Sequence, residues 1–139
     1  MKVTLNYSDK MHFNASTRQF HDIYLDEPES FHGTDLAPSP IEYFLIGTGG
    51  CIGSTFIFCL QKYKIAIESF KVIVDGTLKH IDPNKRLKLV KIEVDLVIKL
   101  IDSVPNKNID LCFKTFQQYC PISDVIMQGI PLKVNISKE

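Results

Sequence analysis

Residues 40–62 constrain this chain more than any other segment. Ser39-Pro40-Ile41-Glu42 places serine at an N-cap, proline at the first helical position and glutamate at the third, which is a capping box. The helix it starts is predicted to run from Pro40 to about Lys62. Ile41, Phe44, Leu45, Ile46, Cys51, Ile52, Phe56, Ile57, Phe58, Cys59 and Leu60 go most of the way round it. A helix apolar on nearly every face is buried on nearly every face. A chain of 139 residues has little surface to spare for that cover, so much of it is expected from a second copy of the chain. Gly47, Gly49 and Gly50 each cost the helix roughly 1 kcal/mol relative to alanine, and something is expected to pack very close to them.

The segments on either side read as strands. Val3, Leu5 and Tyr7 alternate with polar residues, and His12 to Thr17 and Phe20 to Asp26 follow as a second and third strand. Residues 27–38, rich in acids and carrying Pro28, Gly33 and Pro38, read as a loop. Beyond the helix, Phe70, Val72, Val74, Gly76 and Leu78 alternate, Ile81-Asp82-Pro83-Asn84-Lys85 turns the chain, and a long strand returns. In that strand Leu87 and Leu89 have one parity, while Val90, Ile92, Val94, Leu96, Ile98 and Leu100 have the other. A switch of parity within a strand is the mark of a β-bulge. After Pro105, Ile109, Cys112, Phe113, Phe116 and Cys120 recur at helical spacing. Pro121 ends that helix or begins a short third one through Met127, Gly129 breaks it, and Leu132, Val134 and Ile136 are expected to form a last strand. The order is that of a single α+β domain over residues 1–139, not a regular βαβ alternation.

Composition narrows the functional classes. Apolar residues are 45% of the chain, charged residues 23%, and the formal net charge is zero. No electrostatic affinity for nucleic acid or an anionic membrane is expected. The N-terminus lacks the apolar core of a secretion signal, and no uninterrupted apolar run approaches the roughly 20 residues of a membrane span; a cytoplasmic location is expected. In a reducing compartment the four cysteines are not expected to form a structural disulfide framework. No Cys-x-x-Cys or His-x3-His spacing is present, so no metal site is expected. Two readings remain for the cysteines: small buried apolar residues or a catalytic thiol pair.

Two segments resemble the OsmC/Ohr family of osmotically inducible and organic-hydroperoxide-resistance proteins. Pro38-Ser39-Pro40-Ile41-Glu42-Tyr43-Phe44-Leu45, followed by Gly47-Thr48-Gly49-Gly50-Cys51, is similar to the family's Pro-x-Glu-Leu helix start, with its cysteine further along after small residues. Tyr119-Cys120-Pro121-Ile122-Ser123 is similar to its second-cysteine motif. Element order and length agree from end to end, closest to the short OsmC-like branch.

The resemblance implies antiparallel sheets around a long buried central helix, in an intertwined homodimer. It also implies thiol-dependent reduction of organic hydroperoxides without metal or organic cofactor. Cys51 would become a sulfenic acid on meeting a small-molecule peroxide, Cys120 would condense with it, and an external dithiol reductant would reset the pair. Peroxidases of the family activate the first cysteine with an arginine held by the helix glutamate. Glu42 matches the glutamate. The family's arginine follows the first strand, where this chain reads Ser8-Asp9-Lys10-Met11; Arg18 comes one strand later, and Lys10 lacks a guanidinium's fork of donors.

Physical chemistry sets further expectations. Cys51 lies about three turns into its helix, beyond the positive end of the dipole, and apolar surroundings raise a thiol's pKa. Cys120, as N-cap before Pro121, would face the N–H groups of Ile122 and Ser123, and is expected to be at least as acidic as Cys51. Cys59 and Cys112 read as core residues; Cys59 lies eight residues past Cys51, turned roughly 80° around the helix. His12, His21, His32 and His80 are scattered and read as surface or edge residues. The alternative to a peroxidase is a non-enzymatic dimer that binds a small hydrophobic or thiol ligand at its interface. Hydrolysis through Cys51 is weaker, since no motif places a histidine base.

Overall fold

The computed structural model describes residues 1–102 and 105–137; the side chains of Asn106 and Phe116 lie outside the described residues. The elements are β1 (Thr4–Asp9), β2 (His12–Thr17), β3 (Phe20–Leu25), α1 (Pro40–Lys62), β4 (Ile67–Ile81), β5 (Arg86–Leu100), α2 (Asn106–Tyr119) and α3 (Pro121–Gln128), with a 3-10 turn at Glu29–Phe31. The class is α+β with two antiparallel sheets, in order β1-β2-β3 and β4-β5. Contacts group the chain into two compact units, Met1–Ile46 and Gly47–Glu139, and α1 runs from one into the other.

The first unit is a three-stranded meander followed by the loop of residues 27–38. Asp26 organises that loop. Its buried carboxylate accepts hydrogen bonds from the N–H of Glu27 (2.8 Å), Thr34 (3.0 Å) and Leu36 (3.2 Å) and from the Thr34 hydroxyl. The Thr34 hydroxyl is the largest influence and the backbone donors add to it; against the opposing cost of burial they hold the carboxyl at about 2.

The start of α1 is as the sequence specifies. Glu42 Oε2 accepts from the Ser39 N–H at 2.7 Å and from its hydroxyl at 2.9 Å, while Ser39 Oγ accepts from the Glu42 N–H at 3.3 Å. Its C-terminus closes in a Schellman motif with Lys64 in the left-handed region (φ 55°), and Ile65 N–H bonds the Leu60 carbonyl at 2.9 Å.

In the second unit the β4–β5 hairpin packs on one side of α1. The core is Phe56, Cys59, Leu60, Ile65 and Cys112, flanked by Phe70, Leu96, Ile98 and Ile109. Each large apolar side chain buried there contributes roughly 1.5–3 kcal/mol. The expected bulge is present. Thr77 pairs Lys91 and Leu78 pairs Leu89, so Val90 is the extra residue on β5. The close packing expected at the helix glycines falls on Gly49, where a Cβ would stand 2.6 Å from Val74 Cγ2, and on Gly53, 3.0 Å from Val72 Cγ2. At Gly47 and Gly50 a Cβ would meet nothing within 4 Å.

Three expectations are refined or corrected. First, the part of the cover on α1 that one chain supplies is confined to one face, the rest being what the sequence expects of a second copy. The buried residues of α1 (Thr48, Gly49, Ile52, Gly53, Phe56, Cys59 and Leu60) form a single stripe, while Ile46 and Phe58 are 59% and 66% exposed. By length and mean hydropathy (1.6) α1 also meets the criterion for a membrane span, because its glycines, threonines and serine interrupt the apolar run without making it polar.

Second, Leu132, Val134 and Ile136 form no strand. The pattern alternates, but residues 129–137 pair with neither sheet and the three side chains are 82–90% exposed.

Third, Cys59 and Cys112 are core residues but not independent ones. They are joined as a disulfide with Cα atoms 5.3 Å apart, where no structural disulfide was expected. The sequence assigns each to the core separately because it does not show which helix faces lie opposite one another.

Candidate functional site

The second unit brings the other two cysteines together. Cys51, on α1, and Cys120, between α2 and α3, place their sulfurs 3.1 Å apart as free thiols. The two pairs share one register. Cys51 and Cys59 are eight residues apart on α1, Cys112 and Cys120 are eight apart on the returning chain, and each cysteine of α1 meets its counterpart. Cys120 is 2% exposed, and Cys51 is the more open of the two.

Their environments differ in sign. Burial pushes Cys51 up, and the neighbouring Cys120 thiol adds to that; the Ile122 N–H opposes both without overcoming them. Burial also pushes against ionising Cys120, but the Ser123 hydroxyl, the Cys51 thiol and the N–H groups of Ser123 and Ile122 outweigh it and hold the thiol below its ordinary value. Cys120 is the N-cap of α3 with Pro121 at N1, as expected. Its sulfur closes no capping hydrogen bond of full geometry, so the N–H groups act on it as converging dipoles. The two thiols share a hydrogen bond, and their surroundings favour ionisation of Cys120 over that of Cys51.

An open apolar cleft of about 130 Å³ is lined by Thr48, Ile52, Ile92, Val94, Ser123 and Ile126 among others, with neither cysteine on its wall. It shares Ser123 with the surroundings of Cys120.

Of the other residues singled out from sequence, Arg18, Glu42, Lys10 and His12 lie in the first unit and His80 in the second, each with a local partner. Arg18 sits in the β2–β3 turn at φ 51° with its guanidinium 5.1 Å from the Phe20 ring centroid. Glu42 is engaged by Ser39, whose N–H and hydroxyl lower its pKa against a small opposing cost of burial. Lys10 is in the β1–β2 turn, its N–H bonded to the Asp9 side chain at 2.9 Å. Among the histidines, His12 stacks on Tyr24 and His80 Nδ1 lies 2.8 Å from the Lys85 carbonyl oxygen. Sequence reasoning missed Asp26 and the Cys59–Cys112 bond; the only sequence signal for the bond was the repeated eight-residue spacing.

Two sheets, a glycine-bearing helix with a capped start, and a thiol on that helix facing a second thiol beside a proline define a two-cysteine α+β protein. The OsmC-like protein family matches residues 33–135, and the chain belongs to that family. Among solved structures, the OsmC-like protein of Mycoplasma pneumoniae superposes with a TM-score of 0.76 at 20% identity, over 91% of this chain and 86% of that one. An organic hydroperoxide resistance protein OsmC of Legionella pneumophila gives 0.64 at 19% identity, over 92% and 89%. One from Elizabethkingia anophelis gives 0.64 at 19%, over 91% and 87%. At these identities the likeness is one of fold. The comparison with curated proteins gives no match.

Proposed function

We propose that this protein reduces organic hydroperoxides through Cys51 and Cys120, acting as a homodimer. The observation that carries the reading is the 3.1 Å approach of two free thiols, one of them lowered from its ordinary value against the cost of burial, chiefly by the Ser123 hydroxyl. The Cys120 thiolate serves as base for the more open Cys51 thiol. Cys51 sulfur attacks the terminal peroxide oxygen, an S–O bond forms, the O–O bond breaks, and the alkoxide leaves and takes a proton from water to become the alcohol. Cys120 then attacks the Cys51 sulfenic acid; its proton leaves with the hydroxyl as water and the disulfide closes. An external dithiol donates two electrons to reopen it. The apolar cleft beside Ser123 favours a hydroperoxide with a short alkyl or aryl group over hydrogen peroxide. Arg18 and Glu42 are supporting candidates through the family resemblance, Glu42 as the residue that would orient a cation toward the thiol. In the test, one equivalent of cumene hydroperoxide is added to reduced protein and the cysteines are mapped by mass spectrometry. A Cys51–Cys120 disulfide with matching peroxide loss is expected. Unchanged thiols at those positions would sink the reading and leave the alternative, binding of a small hydrophobic or thiol ligand.

The dimer is supported by the exposed Ile46 on α1 and by the unpaired alternating segment of residues 130–137, which has the form of a strand in search of a sheet edge. Light scattering on the purified chain tests it; a stable monomer at micromolar concentration would contradict it.

A further inference from the structure

A second cavity, of about 470 Å³, borders the core disulfide at Cys59. It is lined by Thr55, Phe58, Cys59 and Lys62 from α1, Tyr63 just beyond it, and Thr115, Gln118 and Tyr119 from α2. Its volume falls in the range of roughly 300–1,000 Å³ found for small-molecule sites. Cys59 contributes to the wall, whereas Cys112 does not and is wholly buried. The cavity therefore borders the Cys59 end of the disulfide, although Cys59 is itself only 2% exposed. Its lining suits a particular class of visitor: a lysine ammonium, aromatic rings at Phe58, Tyr63 and Tyr119, and the Gln118 amide. This is a setting for a small, flexible molecule that carries a carboxylate as well as a sulfur.

We propose that Cys59–Cys112 is a second redox centre, opened by a small carboxylate-bearing thiol that enters this cavity and attacks Cys59. The step is thiol–disulfide exchange. The incoming thiolate forms a bond to Cys59 Sγ, the Cys59–Cys112 bond breaks, and the electron pair leaves on Cys112 Sγ, which takes up a proton. A second molecule of the thiol attacks the first one's sulfur in the mixed disulfide and releases Cys59, which is protonated in turn. Two thiols are oxidised to one small disulfide, and the protein bond is reduced to two thiols. The place of Cys59 on the cavity wall, which Cys112 does not share, directs attack to Cys59, and the Lys62 ammonium draws the carboxylate to the cavity. Peroxidase activity is not required, because Cys51 and Cys120 take no part in the exchange.

The probe is glutathione, applied to the oxidised Cys51→Ser/Cys120→Ser variant so that only the second pair can react. Samples are quenched with N-ethylmaleimide and mapped by mass spectrometry, with a thermal melt to establish that each variant is folded. The expected result is opening of the bond under native conditions through a transient glutathione adduct on Cys59. Filling the cavity with Thr115→Phe should slow opening at least tenfold. Lys62→Glu should slow glutathione severalfold while leaving uncharged 2-mercaptoethanol unaffected. An adduct that forms first on Cys112, or a bond that opens only at the rate of global unfolding and is indifferent to Thr115→Phe, would overturn the proposal. Should the double serine variant fail to fold, the same mapping on the wild-type chain reads Cys59 and Cys112 in their own peptides and distinguishes the same two orders of attack.

Discussion

Cys51 and Cys120 lie 3.1 Å apart at their sulfurs, yet their surroundings drive the two thiols in opposite directions, Cys51 up and Cys120 down. Cys120 is therefore expected to alkylate with iodoacetamide at lower pH than Cys51 in the reduced protein, with the two peptides quantified separately. Replacing Cys120 with serine removes the acidic neighbour that raises Cys51, so the Cys51 labelling curve should move toward lower pH. A curve that moves the other way would show that the neighbouring thiol is not what raises Cys51 at equilibrium.

The core disulfide closes a loop of 53 residues, for which loss of chain entropy in the unfolded state is worth about 4 kcal/mol. For a chain of this length each kcal/mol moves the melting temperature by roughly 2–4 °C or slightly more. Reduction of Cys59–Cys112, or replacement of both residues by alanine, should lower Tm by about 10 °C. Calorimetry of matched oxidised and reduced samples measures it, and equal melting temperatures would remove the clamp from the stability of the second unit.

The glycines of α1 should separate cleanly in an unfolding series. At Gly49 a methyl group would overlap Val74, and the overpacking cost of about 1–3 kcal/mol outweighs or cancels the gain in helix propensity. At Gly47 a methyl group meets open space and the propensity gain of up to about 1 kcal/mol stands alone. Urea titrations should show Gly49→Ala with a lower midpoint than the parent and Gly47→Ala with a higher one. Reversed order would mean that the Gly47 face is covered in solution.

Asp26 ties stability to pH in one direction. Its folded carboxyl is held at about 2, below the value of an ordinary aspartate, so folding favours the ionised form. The stabilisation is full above the unfolded value and is lost as pH falls from that value toward 2. Asp26→Asn keeps an acceptor but removes the charge, and should flatten the acid limb of stability between about pH 4 and pH 2. A variant with the parent's acid limb would show that the loop of residues 27–38 does not draw on this carboxylate.

Local signals made most of the fold legible. Ser39 and Glu42 specify the start of α1, and Gly129 ends α3, because caps and breakers act within a few residues. The parity change at Val90 exposed the bulge, because alternation is a property of the strand itself. The Cys51–Cys120 pair was legible through resemblance, since both motifs are short and contiguous. What was not legible depended on which surfaces meet. The alternation at Leu132, Val134 and Ile136 states what the segment could pair with, not that a partner edge exists in the same chain. The Cys59–Cys112 bond requires the facing of α1 and α2, which neither helix encodes alone. Asp26 gathers donors from residues 27, 34 and 36, and no spacing in the sequence marks a loop that folds back on one carboxylate.

Val90 has a consequence for how the hairpin tolerates change. With the extra residue in place, Leu89 and Ile92 both turn toward the interior although they are an odd number of positions apart. Loss of any one residue between the bulge and the hairpin tip would leave every hydrogen-bonding position nominally fillable and yet exchange inside for outside along the whole distal arm. Insertions and deletions in that arm are thus counted in pairs: the strand behaves as a two-state counter whose reading is set at a single position.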